Sequence, residues 1–320
     1  MEHLFSMSAY KFDTDEYGGV SSAIEKIKEA GAGGIELLTG YFDPDPMFSD
    51  IAKGVHLPYA TDWYSAWTGD GGYVPTDDES IRYRSYGKNK KEIIGTLTDA
   101  VCRASSLLPE YGVVHASNVR MNEIMHFCYR DSDASIILAL TEMLNSVSAA
   151  FPSREPPFKI MLENLWWPGL TMTDDSGFTM LEAGLEFDNW GLCLDVGHLM
   201  NRLGNCREET ESIEDVLRTV KGYPKEMIER IEVVHLHMSL SADYIDKCVK
   251  DPKELKAADS REMMSEAYEH ICRVDQHRPF TDASCVKIID LLKPSYITHE
   301  ISAPTPSERI SGFRKQLSLF

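Results

Sequence analysis

The sequence has no apolar run near the roughly 20 residues a bilayer-spanning helix needs, and its opening, Met1-Glu2-His3, lacks the basic-then-apolar layout of a signal peptide. A cytoplasmic protein without a membrane partner is therefore expected. Positive charge is scarce: 32 Lys and Arg face 51 Asp and Glu, a formal −19. Such a surface repels nucleic-acid backbones and anionic lipid, which speaks against nucleic acid as the partner and leaves room only for a local basic groove. The seven cysteines are odd in number, widely spaced and form no Cys-x-x-Cys, so neither a disulfide framework nor a thiolate zinc site is indicated. No G-x-G-x-x-G turn follows an early strand, which removes the dinucleotide-binding form of the doubly wound fold. Internal repeats and low-complexity linkers are absent too.

What is present alternates. Short runs rich in Val, Ile, Leu and Met centre on His3–Met7, Gly34–Leu38, Gly54–Leu57, Gly112–His115, Lys159–Glu163, Gly191–Asp195, Glu232–Leu236 and Tyr296–Glu300. They read as strands covered on both faces. Between them, Val20–Ala30, Lys90–Leu107, Ser135–Ala149, Ile213–Val220 and Ser307–Leu317 repeat apolar residues at three- and four-residue steps, as helices do. Parallel strands joined by helical crossovers are implied, and eight of them predict one α/β domain over residues 1–320, a (β/α)8 TIM barrel. Two connections, Tyr59–Tyr86 and Met238–Val274, exceed ordinary barrel loops. The first carries Trp63, Tyr64, Trp67, Tyr73, Tyr83 and Tyr86 beside Arg82, Arg84, Lys88, Lys90 and Lys91. It reads either as the start of an amphipathic helix with solvated charges, the slightly favoured reading, or as a lid whose basic end holds a phosphate.

The informative pattern lies at the strand ends. Val55-His56, Val114-His115, Leu162-Glu163, Leu194-Asp195, Val234-His235 and His299-Glu300 each close an apolar strand with an imidazole or carboxylate. In a barrel these ends open on one face, where dispersed residues converge on a pocket. A single such residue means little, since a buried His is more often a satisfied core residue and a terminal Asp often only caps the next helix. Six together are not a chance pattern. Asp195-Val-Gly-His198 and Asp275-Gln-His277 add loop donors to the same face. Imidazole with carboxylate is a donor set for zinc, manganese or iron.

These motifs, with His56-Leu-Pro-Tyr59, His115-Ala-Ser, Glu163-Asn164 and His235-Leu-His237, resemble the xylose-isomerase-like barrel superfamily over nearly the whole chain. In its sugar isomerase and epimerase branch the resemblance implies one divalent metal, Zn or Mn, on Glu163, Asp195, His235 and Glu300. Glu163 and Glu300 would then also be the catalytic acid/base pair acting on a small sugar or sugar phosphate. In its endonuclease IV branch it implies three zinc ions on nine ligands, and His56, His115, Glu163, Asp195, His198, His235, Asp275, His277 and Glu300 supply each residue type. Three features depart from that branch: Ser6-Met-Ser-Ala-Tyr stands where it has a Gly-Ala-His-type run, His235-Leu-His237-Met where it has Asn-Asp, and Asp275 comes after an extra insertion. With the acidity, these departures favour the isomerase or epimerase over the zinc phosphodiesterase, with one to three ions bound. A barrel that binds metal without catalysis ranks last. His237, Trp166, Tyr59 and Asn164 are the candidates for contacting a carbohydrate-like substrate. The superfamily's small-molecule enzymes often pair barrels, so a homodimer is a further implication, although no apolar stripe in the sequence marks its interface.

Overall fold

In a computed structural model, residues 1–70, 78–253, 255 and 260–320 are described. Eight strands, β1 (Glu2–Ser8), β2 (Gly34–Leu38), β3 (Ala52–His56), β4 (Tyr111–His115), β5 (Lys159–Glu163), β6 (Trp190–Asp195), β7 (Ile231–His235) and β8 (Tyr296–His299), pair in parallel and in sequence order to close a barrel. Helices follow where the periodicity places them, including Val20–Glu29, Lys90–Ala104, Asp133–Ser148, Glu209–Val220 and Pro306–Leu317. Asn89 caps the second of these by accepting from the Glu92 amide, and Thr305 caps the last through the Glu308 amide.

The two-residue period of a strand sorts its side chains. In β5 and β6, Ile160, Leu162, Leu192 and Leu194 join the layer between barrel and helices, while Met161 and Cys193 point into the barrel, with Leu4, Tyr111, Val113 and Val233. The inward position one pleat further on is Glu163 or Asp195. The same alternation turns His56, His115 and His235 inward, and parallel pairing sets His115 beside Glu163 and Asp195 beside His235. The floor under them needs one small residue: a Cβ at Gly54 would meet the Tyr111 ring at 2.2 Å.

The two long connections fold into helices of their own, Trp63–Thr68 and Asp78–Ser85 in the first, Ala242–Lys250 and Ser260–Val274 in the second. A separate apolar cluster caps the site, where Val119, Met121, Ile124, Leu165, Trp166 and Trp167 pack with Ile245, Ala267 and Val274. Tyr73 lies outside the described residues. Trp63 and Trp67 are buried core residues rather than lid surface, and the Trp63 indole donates to the Ser117 carbonyl. Lys90 sits over Trp67 and pairs with Glu142 at 2.7 Å. Among the described residues, no helix is long and apolar enough to cross a membrane, and all seven cysteines are free thiols.

Candidate metal centre

Ten residues singled out in the sequence meet at the C-terminal mouth of the barrel. Glu163 is the hub and is buried. Its Oε2 lies 3.2 Å from His56 Nε2 and 3.3 Å from His115 Nε2. Its Oε1 lies 3.2 Å from His235 Nδ1 and 3.4 Å from His198 Nδ1. Asp195 caps the helix Val196–Leu203, accepting from the His198 amide through Oδ1, and faces His237 Nε2 at 2.8 Å through Oδ2. Asp275 Oδ2 stands 3.2 Å from His198 Nε2 and 2.6 Å from His277 Nε2. Glu300 closes the ring, 3.6 Å from His235 Nδ1, 3.8 Å from His277 Nδ1 and 3.9 Å from His237 Nε2.

Local structure explains these placements. Backbone bonds between Met238 and Arg278 run both ways across the loops, and this bridge brings His237 beside His277, their rings stacked at 4.0 Å. His277 takes a left-handed φ of 48°, sparsely populated by residues other than glycine. Gly197 is required beside His237, because a Cβ there would meet that ring at 2.1 Å. That requirement accounts for the glycine in Asp195-Val-Gly-His198.

The donors fit a cation. Nδ1 of His56 lies 2.9 Å from the Leu57 carbonyl and Nδ1 of His198 lies 2.9 Å from the Asn164 carbonyl. Carbonyls only accept, so each Nδ1 carries the hydrogen, and in the neutral ring a lone pair on Nε2 points at a carboxylate: Glu163 for His56, Asp275 for His198. Two lone pairs at 3.2 Å require a proton or a metal between them, and a backbone-held Nδ1–H is how ligating imidazoles are oriented. Without metal, protons take that place. Burial disfavours the charged form of His56, yet Glu163 holds its pKa up, and Asp195 and Asp275 do the same for His198. His277 is driven up to about 9, Asp275 outweighing burial. Burial would raise Glu163, but the facing His115 and His235 hold it well below the usual carboxylate range. His115 is pushed the other way, down to about 3, by burial and by its imidazole neighbours.

One participant escaped sequence reasoning. Glu36, inside β2, is buried and places Oε1 2.9 Å from His235 Nε2, while Oε2 accepts from Tyr111 at 2.6 Å and Thr298 at 3.0 Å. The Glu36–His235 pair is close but lacks hydrogen-bond geometry, so Glu36 Oε1 and His235 Nε2 are both left without a hydrogen-bond partner, as is His237 Nδ1. Buried polar atoms left so are costly, and three in one cluster fit a site that holds cations. The signal was a lone carboxylate in the apolar run Gly34-Ile-Glu-Leu-Leu. Five groupings of these residues bring three or four donor atoms within 4.8 Å of one another; Glu163, Asp195, His198, His237 and Glu300 each belong to more than one.

A cavity of about 280 Å³ opens onto the cluster, reaching Glu163, Glu300, His56, His115, His198 and His277. Tyr59 and Trp166 form part of its wall, with Tyr268, Ile271 and Cys272 from the helix Ser260–Val274. No lysine or arginine is among the described residues that line it. Asn164 and His237 do not line it. Asn164 is fully buried and clamps the Asp195 backbone, donating to its carbonyl at 3.0 Å and accepting from its amide at 2.8 Å. His237, also fully buried, sits among the donors rather than at the cavity.

A closed eight-stranded barrel with its polar cluster at the C-terminal mouth defines a TIM barrel of the kind that builds sites from strand ends. No family model matches the sequence, and no curated protein matches it. Among solved structures, the chain is similar to endonuclease IV from Thermus thermophilus, with a TM-score of 0.54 and 16% identity over 100% of this chain and 98% of that one. It is similar to a D-tagatose 3-epimerase-like protein, with a TM-score of 0.55 and 15% identity over 100% and 97%. A third likeness is to the IOLI protein with a bound zinc atom, at 0.51 and 16% over 99% and 96%. At these identities the likeness establishes the fold alone, a TIM barrel.

Proposed function

We propose that the protein is a divalent-metal-dependent hydrolase with a multinuclear centre, acting on a small phosphoester. One observation carries this. The two oxygens of Glu163 face separate donors, Oε2 the Nε2 atoms of His56 and His115 and Oε1 the Nδ1 of His235, as a carboxylate shared between two ions would. His56, His115 and Glu163 would hold one ion, and His235, whose Nδ1 lies 3.2 Å from Glu163, 3.7 Å from Asp195 and 3.6 Å from Glu300, would join those carboxylates on a second. A third would fall to His198, Asp275 and His277, with His237 beside them. Ions held there supply Lewis-acid polarisation of a phosphoryl oxygen and lower the pKa of water. The chain's own part is distinct. Tyr59 and Trp166 wall the substrate from bulk water, and Glu300, its side chain 12% exposed, is placed to take a proton from an attacking water or return one to a leaving oxygen. The cavity's volume suits a small molecule, and the absence of lysine and arginine among its described lining residues supports that over a nucleic-acid strand.

A second reading keeps the isomerase or epimerase expected from the sequence. It is favoured by the cavity, which reaches Glu163 and Glu300 together, the pair that would exchange a proton on a sugar carbon around one Zn or Mn ion. The test is elemental analysis after dialysis, together with phosphate release from small phosphoesters and deuterium wash-in to ketoses. Two or more tightly held ions with phosphate release, reduced at least ~100-fold in kcat by Glu300→Gln, support the hydrolase. One exchangeable ion with wash-in and no phosphate release overturns it in favour of the second reading.

A further inference from the structure

A second cavity, of about 240 Å³, adjoins the one over the donor cluster and shares Leu38, Tyr59 and Tyr268 with it as walls. Its character is different. Four tyrosines from separate parts of the chain line it: Tyr10 before the first helix, Tyr59 after β3, Tyr83 in Asp78–Ser85 and Tyr268 in Ser260–Val274. Pro58 and Met264 complete an apolar surface, and no charged side chain is among the described lining residues. The Tyr59 ring is stacked on His115 at 4.6 Å and 15°, so a donor of the cluster fixes the plane of the partition between the two chambers.

The exposed aromatics gather here. Phe12, Phe42, Tyr59, Tyr83, Tyr268 and Phe320 are the described large aromatic side chains that solvent reaches most. Three of them line the chamber, and Phe12 and Phe42 pack on Tyr10 with ring centroids at 5.6 and 5.2 Å. Only Phe320 lies elsewhere, against His3. An exposed apolar concentration of this kind marks a binding surface, and flat walls from four elements select a flat occupant.

We infer that the tyrosine chamber binds an uncharged planar ring carried by the substrate, continuous with the reacting group that enters the donor cluster. The inference rests on the phosphoester reading for the identity of the reacting end, not for the ring. The two chambers together fall within the roughly 300–1,000 Å³ usual for ligand sites, which admits one ring and one ester group.

Binding of phenyl phosphate and methyl phosphate to the purified protein, measured by calorimetry, tests this alongside saturation transfer from the protein to benzyl alcohol. The chamber predicts phenyl phosphate at least about tenfold tighter than methyl phosphate, and ring-proton transfer to benzyl alcohol. Tyr83→Ala should remove both while leaving methyl phosphate affinity and metal content unchanged, and Tyr10→Ala, at a residue that lines this chamber and not the one over the donors, repeats the test should the first variant fold poorly. Equal affinity for the two phosphates, or a preference intact in both variants, overturns the inference. Neither phosphate binding while benzyl alcohol still shows Tyr83-dependent transfer would leave the ring site standing and overturn the phosphoester reading alone. Absence of transfer to benzyl alcohol overturns the ring site.

Discussion

Replacing Glu163 by Gln tests the metal centre where its geometry is most demanding. The change is nearly isosteric, so packing at this buried position is kept. Whichever way the amide turns, its NH2 must face either His56 and His115 or His235 and His198, all within 3.2–3.4 Å of the present oxygens. An amide nitrogen has no lone pair for a metal, and the cluster loses one negative charge. One of the two sets therefore loses its carboxylate, and its affinity should fall by more than the ~10–100-fold typical of disturbing a ligand's outer partner. An ion present at about 1,000 times its dissociation constant stabilises the native state by about 4 kcal/mol. With an unfolding entropy of about 2.1 cal/mol/K per residue, or about 0.7 kcal/mol/K for this chain, losing that ion lowers Tm by about 6 °C. Elemental analysis and calorimetric melting of dialysed wild type and Glu163→Gln measure both quantities. Equal metal content with Tm values within about 1 °C would refute the shared-carboxylate reasoning.

Gly197→Ala should displace the His237 ring, which a Cβ would approach to 2.1 Å; a cost of ~1–3 kcal/mol in urea unfolding and loss of metal equivalents are expected, and an unchanged metal content would contradict the role given to His237. His270, buried against Tyr244 with Nδ1 2.8 Å from its hydroxyl, is pushed down to about 4 by burial, by Arg273 and by His126. The unfolded chain binds that proton near pH 6.5, so stability from this site is complete above pH 6.5 and falls as pH drops toward 4. Between pH 7 and 4.5 the wild type should lose about 2 kcal/mol more than His270→Gln; parallel pH profiles would show that the site does not contribute.

The fold was legible because burial on both faces writes apolar strands plainly, and because the pleat carries alternation through to their ends. Strand limits moved by at most two residues, as at β3, expected from Gly54 and found from Ala52. The donors at strand ends could be read because a polar residue after an apolar run has few ways to be satisfied. Glu36 could not be read that way, since it lies within a strand and its partners, His235, Tyr111 and Thr298, are close only after the barrel closes. Asn164 lies at the expected face but deeper than a substrate contact, and His237 sits among the donors as a tenth polar group. Sequence alternation gives the side a residue faces, whereas depth is set by neighbouring loops, here the Met238–Arg278 bridge. The aromatics of Tyr59–Tyr86 divide for the same reason: Trp63 and Trp67 found core partners, while Tyr59 and Tyr83 did not.

The helix Ser260–Val274 supplies Tyr268, Ile271 and Cys272 to the cavity wall and runs directly into Asp275 and His277. Cover and ligands are thus one mechanical piece. Swinging this helix away to admit a substrate would drag two donors off whatever ion they hold, so occupancy at that position and closure over the cavity are thermodynamically linked. Metal supply would then act on substrate access as well as on chemistry, and a protein short of metal would hold the closed arrangement less firmly rather than be simply inactive.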